Sequence, residues 1–480
     1  MTVDSKSASE RYQKISQLEH ILKRPDTYIG SVESQEQQQW IHDEETDCMI
    51  EKTVNIVPGL YKIFDEILVN AADNKVRDPS MKKIEVNIQR EENLIEVKND
   101  GKGIPIEIHE KEKIYIPELI FGHLLTSSNY DDDEKKVTGG RNGYGAKLCN
   151  IFSTEFTLET ADSNTGQKYV QKWENNMGVC HPPKITSYKK GPSFTKVSFK
   201  PDLKRFSMET LDDDIIGVLR RRVYDINGSV RDISVYLNGK SLKIRNFKNY
   251  VELYVKSLEK KRLAHGNTVD DSQVKMPTIL YERVNSCWEI AFSVSDISFQ
   301  QISFVNSIAT TAGGTHINYI TDQIIKKVSE VLKKQKKSIK PFQIKNHIFL
   351  FVNCLIENPA FTSQTKEQLT TRVRDFGSRC EISDDYVKKI MKTDLQARIL
   401  EIATENENNA LKKSDGSRKN RITDYPKLED ANKAGTKEGH KCTLVLTEGD
   451  SALSLAVAGL SVVGRDYYGC YPLRGKILNV

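Results

Sequence analysis

The sequence predicts an α+β protein of several domains, on three observations. Its 480 residues exceed what one hydrophobic core organises, so about two to four domains are expected. A helical apolar stripe near 57–75 runs straight into two strands of strict alternation. Further on come a strand, a long amphipathic helix and a continuous apolar strand, the pattern of a βαβ crossover with parallel pairing.

The first 50 residues are polar and contain Arg24-Pro25-Asp26-Thr27-Tyr28-Ile29-Gly30, which reads as an arm with a turn. In the helix near 57–75, Leu60, Phe64, Ile67, Leu68 and Ala71 form the apolar face. Ile84, Val86 and Ile88, then Ile95 and Val97, alternate with polar residues and predict a hairpin across 90–93. Residues 118–152 read as loop-rich, with four glycines at 139, 140, 143 and 145. Strand-like segments continue to about 245, and 257–276 reads as a surface loop at a domain boundary. From 278 the crossover begins: a strand at 303–308, a Gly-Gly turn, then a helix with Ile317, Ile320, Ile324, Val328 and Val331 on one face. The apolar run 347–356 closes it. The charged stretch 404–440 reads as a linker, and Cys442–Leu446 as a new buried strand.

Composition narrows the class. Hydrophobic residues make up 38% and charged residues 29%, ordinary for a globular protein, and no apolar run reaches the length of a membrane helix. The N-terminus lacks the apolar stretch of a secretory signal. Eight scattered cysteines without a CxxC pair are expected to be reduced thiols in cytosol or nucleus, not zinc ligands. The net charge of +5 hints weakly at an anionic partner.

Three segments carry the chemistry. Glu66, Asn70 and Asp73 fall at i, i+4 and i+7 on a second, polar face of the first helix. On an isolated helix they would be solvated surface groups. Asn99-Asp100-Gly101-Lys102-Gly103 ends a strand, where glycine lets backbone approach a flat ligand and an amide or carboxylate accepts from an exocyclic amine. Gly140-Arg141-Asn142-Gly143-Tyr144-Gly145-Ala146-Lys147 is not a standard P-loop, because Ala146 separates glycine from lysine. It is a glycine turn opening a helix, whose free N–H groups suit phosphate.

In this order the three segments resemble the GHKL ATPases, the gyrase, Hsp90, histidine kinase and MutL group. The resemblance implies a Bergerat-type α/β sandwich in which Glu66 is the general base and Asn70 holds Mg²⁺ with ATP. Asn99 and Asp100 would sit at adenine, and Gly140 to Lys147 would wrap the triphosphate. Finer matches are to the eukaryotic type II DNA topoisomerases. The segment 124–136 is similar to that family's ribose and phosphate segment, so Ser127, Ser128 and Asn129 would contact the nucleotide. Tyr28 of the arm would reach the nucleotide of a partner copy. Ser363-Gln364-Thr365-Lys366 is similar to its QTK loop, which implies that Gln364 and Lys366 touch the γ-phosphate and that Thr365 belongs to the ATP-binding set. Thr447-Glu448-Gly449-Asp450-Ser451-Ala452 matches the start of a Rossmann-like TOPRIM domain, with Glu448 as one Mg²⁺ ligand of an incomplete site.

The implied organisation is an arm over 1–50, an ATPase domain over 51–262, and a ribosomal-S5-like transducer with the crossover over 263–405. A linker over 406–438 and a TOPRIM beginning over 439–480 complete it. A mismatch-repair or chaperone relative would share the nucleotide site but not the QTK and EGDSA motifs together. A non-hydrolysing clamp would lack Glu66. The expected partners are a second copy of the chain and double-stranded DNA, met through Lys333, Lys334, Lys336 and Lys337, in the nucleus and with no membrane. No Asp-x-Asp pair follows Glu448 before Val480 and the DNA-attacking tyrosine is absent, so this stretch alone is expected to hydrolyse ATP but not to cut DNA.

Overall fold

The computed structural model describes residues 14–126, 135–140, 143–189, 191–264, 278–295, 298–335, 337, 339–400 and 428–473. The chain divides into two compact units, Met1–Ala403 and Thr404–Val480.

The first unit opens with two short helices, α1 (Gln17–Lys23) and α2 (Asp26–Ile29). The Ser16 side chain caps α1 by accepting from the Glu19 N–H. An antiparallel hairpin follows, β1 (Gln35–Asp43) with β2 (Cys48–Ile56). No periodic pattern announces it: Gln35-Glu36-Gln37-Gln38-Gln39 has no apolar alternation, and only Trp40 to His42 are buried on β1. What reads as a free arm is therefore structured from residue 17 onward.

Helix α3 (Pro58–Arg77) starts with proline at its first position, where the missing N–H costs nothing. The predicted hairpin is β3 (Lys83–Gln89) and β4 (Leu94–Asp100), in the register Val86 opposite Val97. After α4 (Ile116–Gly122) and α5 (Gly145–Ile151) come β5 (Ser153–Asp162), β6 (Gln167–Glu174), β7 (Val179–Cys180), β8 (Lys184–Ser187) and β9 (Phe194–Pro201). Helix α6 (Asp213–Ser229), β10 (Ser234–Leu237), β11 (Lys240–Ser241) and α7 (Phe247–Ala264) finish this part. The sheet runs β11-β10-β3-β4-β9-β5-β6-β7, with β8 on β6. α3 packs against α5 and α6, burying Leu60, Phe64 and Leu68 with Val86, Val97 and Leu219. Helix α7 runs to Ala264, so the loop expected from 257 begins later; residues 265–277 lie outside the described ones.

A second sheet has the order β12 (Leu280–Arg283), β13 (Trp288–Val294), β16 (Ile348–Cys354), β14 (Gln300–Val305), β15 (Ile308–Ala309). β14 and β16 pair in parallel, with α8 (Thr315–Lys334) and α9 (Pro341–Lys345) between them in the chain. This is the βαβ crossover that the sequence predicted. On α8, Ile317, Ile320, Ile324 and Val328 are buried, and Leu332 ends the stripe in place of the half-buried Val331. Helix α10 (Asp384–Met391) packs on α8.

The second unit holds β17 (Thr443–Glu448), α11 (Gly449–Val463) and β18 (Tyr468–Leu473), with its two strands parallel. β17 was expected to be buried, yet Leu444, Val445 and Leu446 are exposed, because the described residues supply it only one neighbouring strand and one helix. Glu429 pairs with Cys470, and the Asn432 and Lys433 N–H groups donate to the carbonyls of Arg465 and Asp466. That part of the expected linker is built into the second unit. Residues 401–427 lie outside the description. No described helix is long and apolar enough to cross a membrane.

The α8 stripe yields a stability test. Ile324→Ala removes a fully buried side chain and is expected to cost about 2–5 kcal/mol. Lys333→Ala at the exposed end of the same helix should change stability by under about 0.5 kcal/mol. Urea unfolding of both variants measures the contrast; equal midpoints would contradict the packing described.

Candidate functional site

The polar face of α3 is buried. Glu66 is 3% exposed, and one of its oxygens accepts from two ammonium groups, Lys62 at 2.7 Å and Lys366 at 2.9 Å. Lys62 is one helical turn back on α3. Lys366 comes from the loop after β16, 300 residues further along. Burial alone would raise the Glu66 pKa, but the two lysines outweigh it and hold it at about 2. Burial opposes the Lys366 charge, yet Glu66 raises its pKa above the ordinary lysine value. Lys62 goes the other way, pushed down by burial and by the nearby Lys366 charge.

Lys366 is aimed by its backbone. It sits at φ 62°, a left-handed conformation that a lysine adopts only when its surroundings impose it. The Lys366 N–H donates to the Ser363 carbonyl, and the Ser363 and Thr365 hydroxyls share a 2.6 Å hydrogen bond. The loop is then tied to the start of α8: Ala312 N–H donates to the Glu367 carbonyl and Leu369 N–H to that of Gly313.

The glycine segment is tied to α3 as well. Both oxygens of the buried Asp73 carboxylate accept backbone N–H groups, from Gly139 and Gly140, each at 2.8 Å. Gly140 lies beside the Asn70 carboxamide oxygen. A Cβ on Gly145 would overlap the Glu66 carboxylate, so this position requires glycine for close approach rather than for its φ. Gly143 has φ +67° and turns the chain into α5. Lys147 is buried, donates to the Thr126 carbonyl at 2.7 Å, and burial pushes its pKa down to about 8. The Ala146 side chain packs in the hydrophobic core, so its part in the expected wrapping of the triphosphate falls to its backbone.

At the strand end, Asn99 is buried at the centre of the sheet and donates to the Asp100 carbonyl. Asp100 has another task than the one expected. Its carboxylate accepts from the Lys82 and Lys83 N–H groups at 2.9 and 2.7 Å and fixes the start of β3. The adenine expectation therefore narrows to Asn99. Gly103 abuts the Ala161 carbonyl, which leaves no room for a side chain.

Residues 56–202 match the model of the histidine kinase-, DNA gyrase B- and HSP90-like ATPases, and residues 246–418 match that of DNA gyrase B. The chain is 82% identical to DNA topoisomerase 2 of Candida glabrata over 99% of its own length and 34% of that protein. It is equally identical to the Saccharomyces cerevisiae protein over 100% of its length and 34% of the relative. It thus spans about a third of the curated relatives it matches. The crystal structure of the ATPase region of the Saccharomyces cerevisiae enzyme is 79% identical, with TM-score 0.77, covering 83% of this chain and all of that one. The chain belongs to the DNA topoisomerase 2 family. It carries that family's ATPase region. The 43K ATPase domain of Thermus thermophilus gyrase B shares the fold, at 18% identity, TM-score 0.54 and coverage of 83% of this chain and 97% of that one.

Within this topoisomerase 2 ATPase region, the structure brings together Glu66, Asn70, Asp73, Gly140, Gly145 and Lys366. Gln364 and Thr365 are half-buried in the same loop as Lys366. Tyr28 lies against its own chain: its hydroxyl is 3.0 Å from His20, and its ring is 6.0 Å from that of Tyr144, whose hydroxyl accepts from Gln17. Ser127, Ser128, Asn129, Arg141, Asn142 and Lys336 lie outside the described residues. Lys333 and Lys334 are exposed at the end of α8 and Lys337 is half-buried. Glu448 is exposed at the start of α11, and no group of three candidate metal ligands occurs among the described residues, so the expected TOPRIM metal gains no support here. The sequence reading missed Lys62, although its i, i+4 spacing to Glu66 was the available signal. It also missed Asp65, which receives the Arg222 guanidinium at 2.6 Å in the interior.

Folding lowers the Glu66 pKa from its ordinary 4.5. The carboxylate therefore stabilises the fold fully above that value, and the contribution is lost as pH falls through about 2. Glu66→Gln is expected to be less stable than wild type at pH 7 by about 3–5 kcal/mol, as two buried ammonium groups lose their shared carboxylate. The gap should narrow from pH 4.5 downward. Urea midpoints across that range measure it, and a gap independent of pH would refute the buried ion pairs.

Proposed function

We propose that this ATPase region binds ATP with Mg²⁺, that binding closes two copies of the chain around DNA, and that the closed state hydrolyses the nucleotide. It would be the driving part of a nuclear enzyme that passes one duplex through a break in another and so relaxes and decatenates DNA. The observation that carries this reading is the buried pair between Lys366 and Glu66. A lysine from the second sheet's domain completes the site of the first, so nucleotide chemistry and domain docking are one event.

The chemistry follows from electrostatics. Without nucleotide, Glu66 is neutralised by Lys62 and Lys366 and is a weak base. A γ-phosphate offers Lys366 a stronger anionic partner, and the lysine moves to stabilise charge that grows during phosphoryl transfer. Glu66 is then free to orient the attacking water and take its proton, while Lys62 keeps the carboxylate in place. Asn70 offers a hard carboxamide oxygen beside the glycine segment, which fits Mg²⁺. That ion would neutralise phosphate charge when bound. The glycine segment from Gly140 to Lys147, anchored to α3 where Asp73 accepts the Gly139 and Gly140 N–H groups, supplies the phosphate cradle.

Closure into a homodimer is supported by the RPDTYIG arm, whose Tyr28 lies at the glycine segment and could exchange between two copies. DNA contact is supported by the exposed Lys333 and Lys334. The parallel β17–α11–β18 unit carrying Glu448 supports a TOPRIM beginning.

Glu66→Gln is expected to bind a non-hydrolysable ATP analogue but to slow turnover by about 10²–10⁴. Lys366→Ala should slow it by about 10²–10³ while analogue affinity falls far less. Steady-state ATPase rates beside binding titrations test both. Affinity that collapses while kcat survives would place Lys366 in ground-state binding and break the coupling argument. Light scattering should show the mass doubling with analogue at micromolar protein; a monomer with nucleotide bound would contradict the clamp.

A further inference from the structure

The glycine segment is gripped from two sides, and the second side is not the QTK loop. Residues 135–138, which lead into it, bond to the domain of the second sheet. Lys136 exchanges two hydrogen bonds with Asn358: the Asn358 N–H donates to the Lys136 carbonyl at 2.9 Å, and the Asn358 carboxamide oxygen accepts from the Lys136 N–H at 3.3 Å. The β14–β15 turn reaches further in. Asn306 is 2% exposed, and its side-chain amide donates to the carbonyls of Thr138 and Ile356 at 3.3 and 2.9 Å. Its oxygen accepts from the Ile356 N–H at 2.8 Å. Next in the turn, the Ser307 carbonyl accepts from Arg222, whose other arm holds Asp65 beside the catalytic glutamate. Ile308 then packs where a Cβ on Gly139 would stand, opposite Val69 of α3. Asn306 and Ser307 adopt φ values of 50° and 64°, a strained backbone kept only where contacts over-determine it.

We infer that Asn306 is a positioning residue for ATP hydrolysis: it holds Thr138 and hence Gly139 and Gly140, giving the second domain a grip on the phosphate cradle that does not pass through Lys366. The inference rests on the ATPase reading above. Gly139 and Gly140 are tied to Asp73 through their N–H groups on one side and hang from Thr138 on the other, so the glycine segment that follows is placed correctly only while both ends are fixed. Loosening the Thr138 end affects the triphosphate, which the following glycine segment wraps, more than a diphosphate. It also slows the chemical step, where misplacement is costly.

The test uses the whole chain with Asn306→Gly, which tolerates the left-handed backbone, and the isosteric Asn306→Asp. The aspartate keeps the acceptor for Ile356 but presents no donor to Thr138. Thermal melts establish that each is folded. Both are expected to lower kcat about tenfold and to weaken a non-hydrolysable ATP analogue several-fold more than ADP. Amide exchange at 138–140 without nucleotide should quicken in both variants but not in Lys366→Ala. Adding Asn306→Gly to Lys366→Ala should lower turnover further, because the two grips are separate. Folded variants with unchanged kcat, unchanged ATP-to-ADP preference and unchanged exchange would overturn the inference, as would a double variant no worse than Lys366→Ala. Wild-type protein that binds no nucleotide would sink the ATPase reading alone, and the exchange measurement would still judge the grip.

Discussion

A carboxylate and an ammonium group 300 residues apart meet in the interior of this chain, and the arrangement of both domains follows from keeping them there. Taking one such charge out of water costs several kcal/mol, and removing its partner leaves that cost unmet. The surroundings are built accordingly. Lys62 and Lys366 share the Glu66 carboxylate and Arg222 holds that of Asp65, all buried. Only Lys366 of these comes from the loop after β16, so its place beside Glu66 depends on the docking of the second sheet's domain. Under the proposed mechanism a triphosphate adds negative charge here, and the lysine that answers it is the one on the loop, not the one on the helix. The surroundings of Glu66 are thereby linked to the position of the second sheet's domain.

Steric fit imposes the second constraint. Gly145 leaves no space above the Glu66 carboxylate, and Gly139 is pressed between Val69 and Ile308. These glycines are needed for closeness, since neither has a positive φ. The glycine segment is thus shaped by contacts from α3 below and from the β14–β15 turn beside it. A loop with so little intrinsic structure borrows its conformation from both domains.

Much of the fold was legible because its elements are periodic. Helix α3, the β3–β4 hairpin and the β14–α8–β16 crossover follow their hydrophobic spacing to within a few residues. The β1–β2 hairpin was hidden because its first half is glutamine-rich and half-solvated. β17 reads as buried from composition alone, yet burial depends on neighbours that a local pattern does not encode. In the site, Glu66 and Lys366 were legible through motif resemblance, and their direct pairing was not. Asp100 shows the opposite limit: a carboxylate in a ligand-binding motif turned out to serve the backbone of β3. Lys62, Asp65 and Arg222 look like ordinary helix-surface charges in the sequence. Only the packing of α3 against α5 and α6 takes them inside.

The central claim is that Lys366 belongs to Glu66 before nucleotide arrives and to the γ-phosphate afterwards. A double-mutant cycle on Glu66→Gln and Lys366→Met, read from unfolding free energies with and without a saturating non-hydrolysable ATP analogue, addresses it most directly. A coupling of about 1–3 kcal/mol without nucleotide, falling toward zero with the analogue, is the predicted result. Coupling that is absent without nucleotide, or unchanged when the analogue binds, would contradict the exchange.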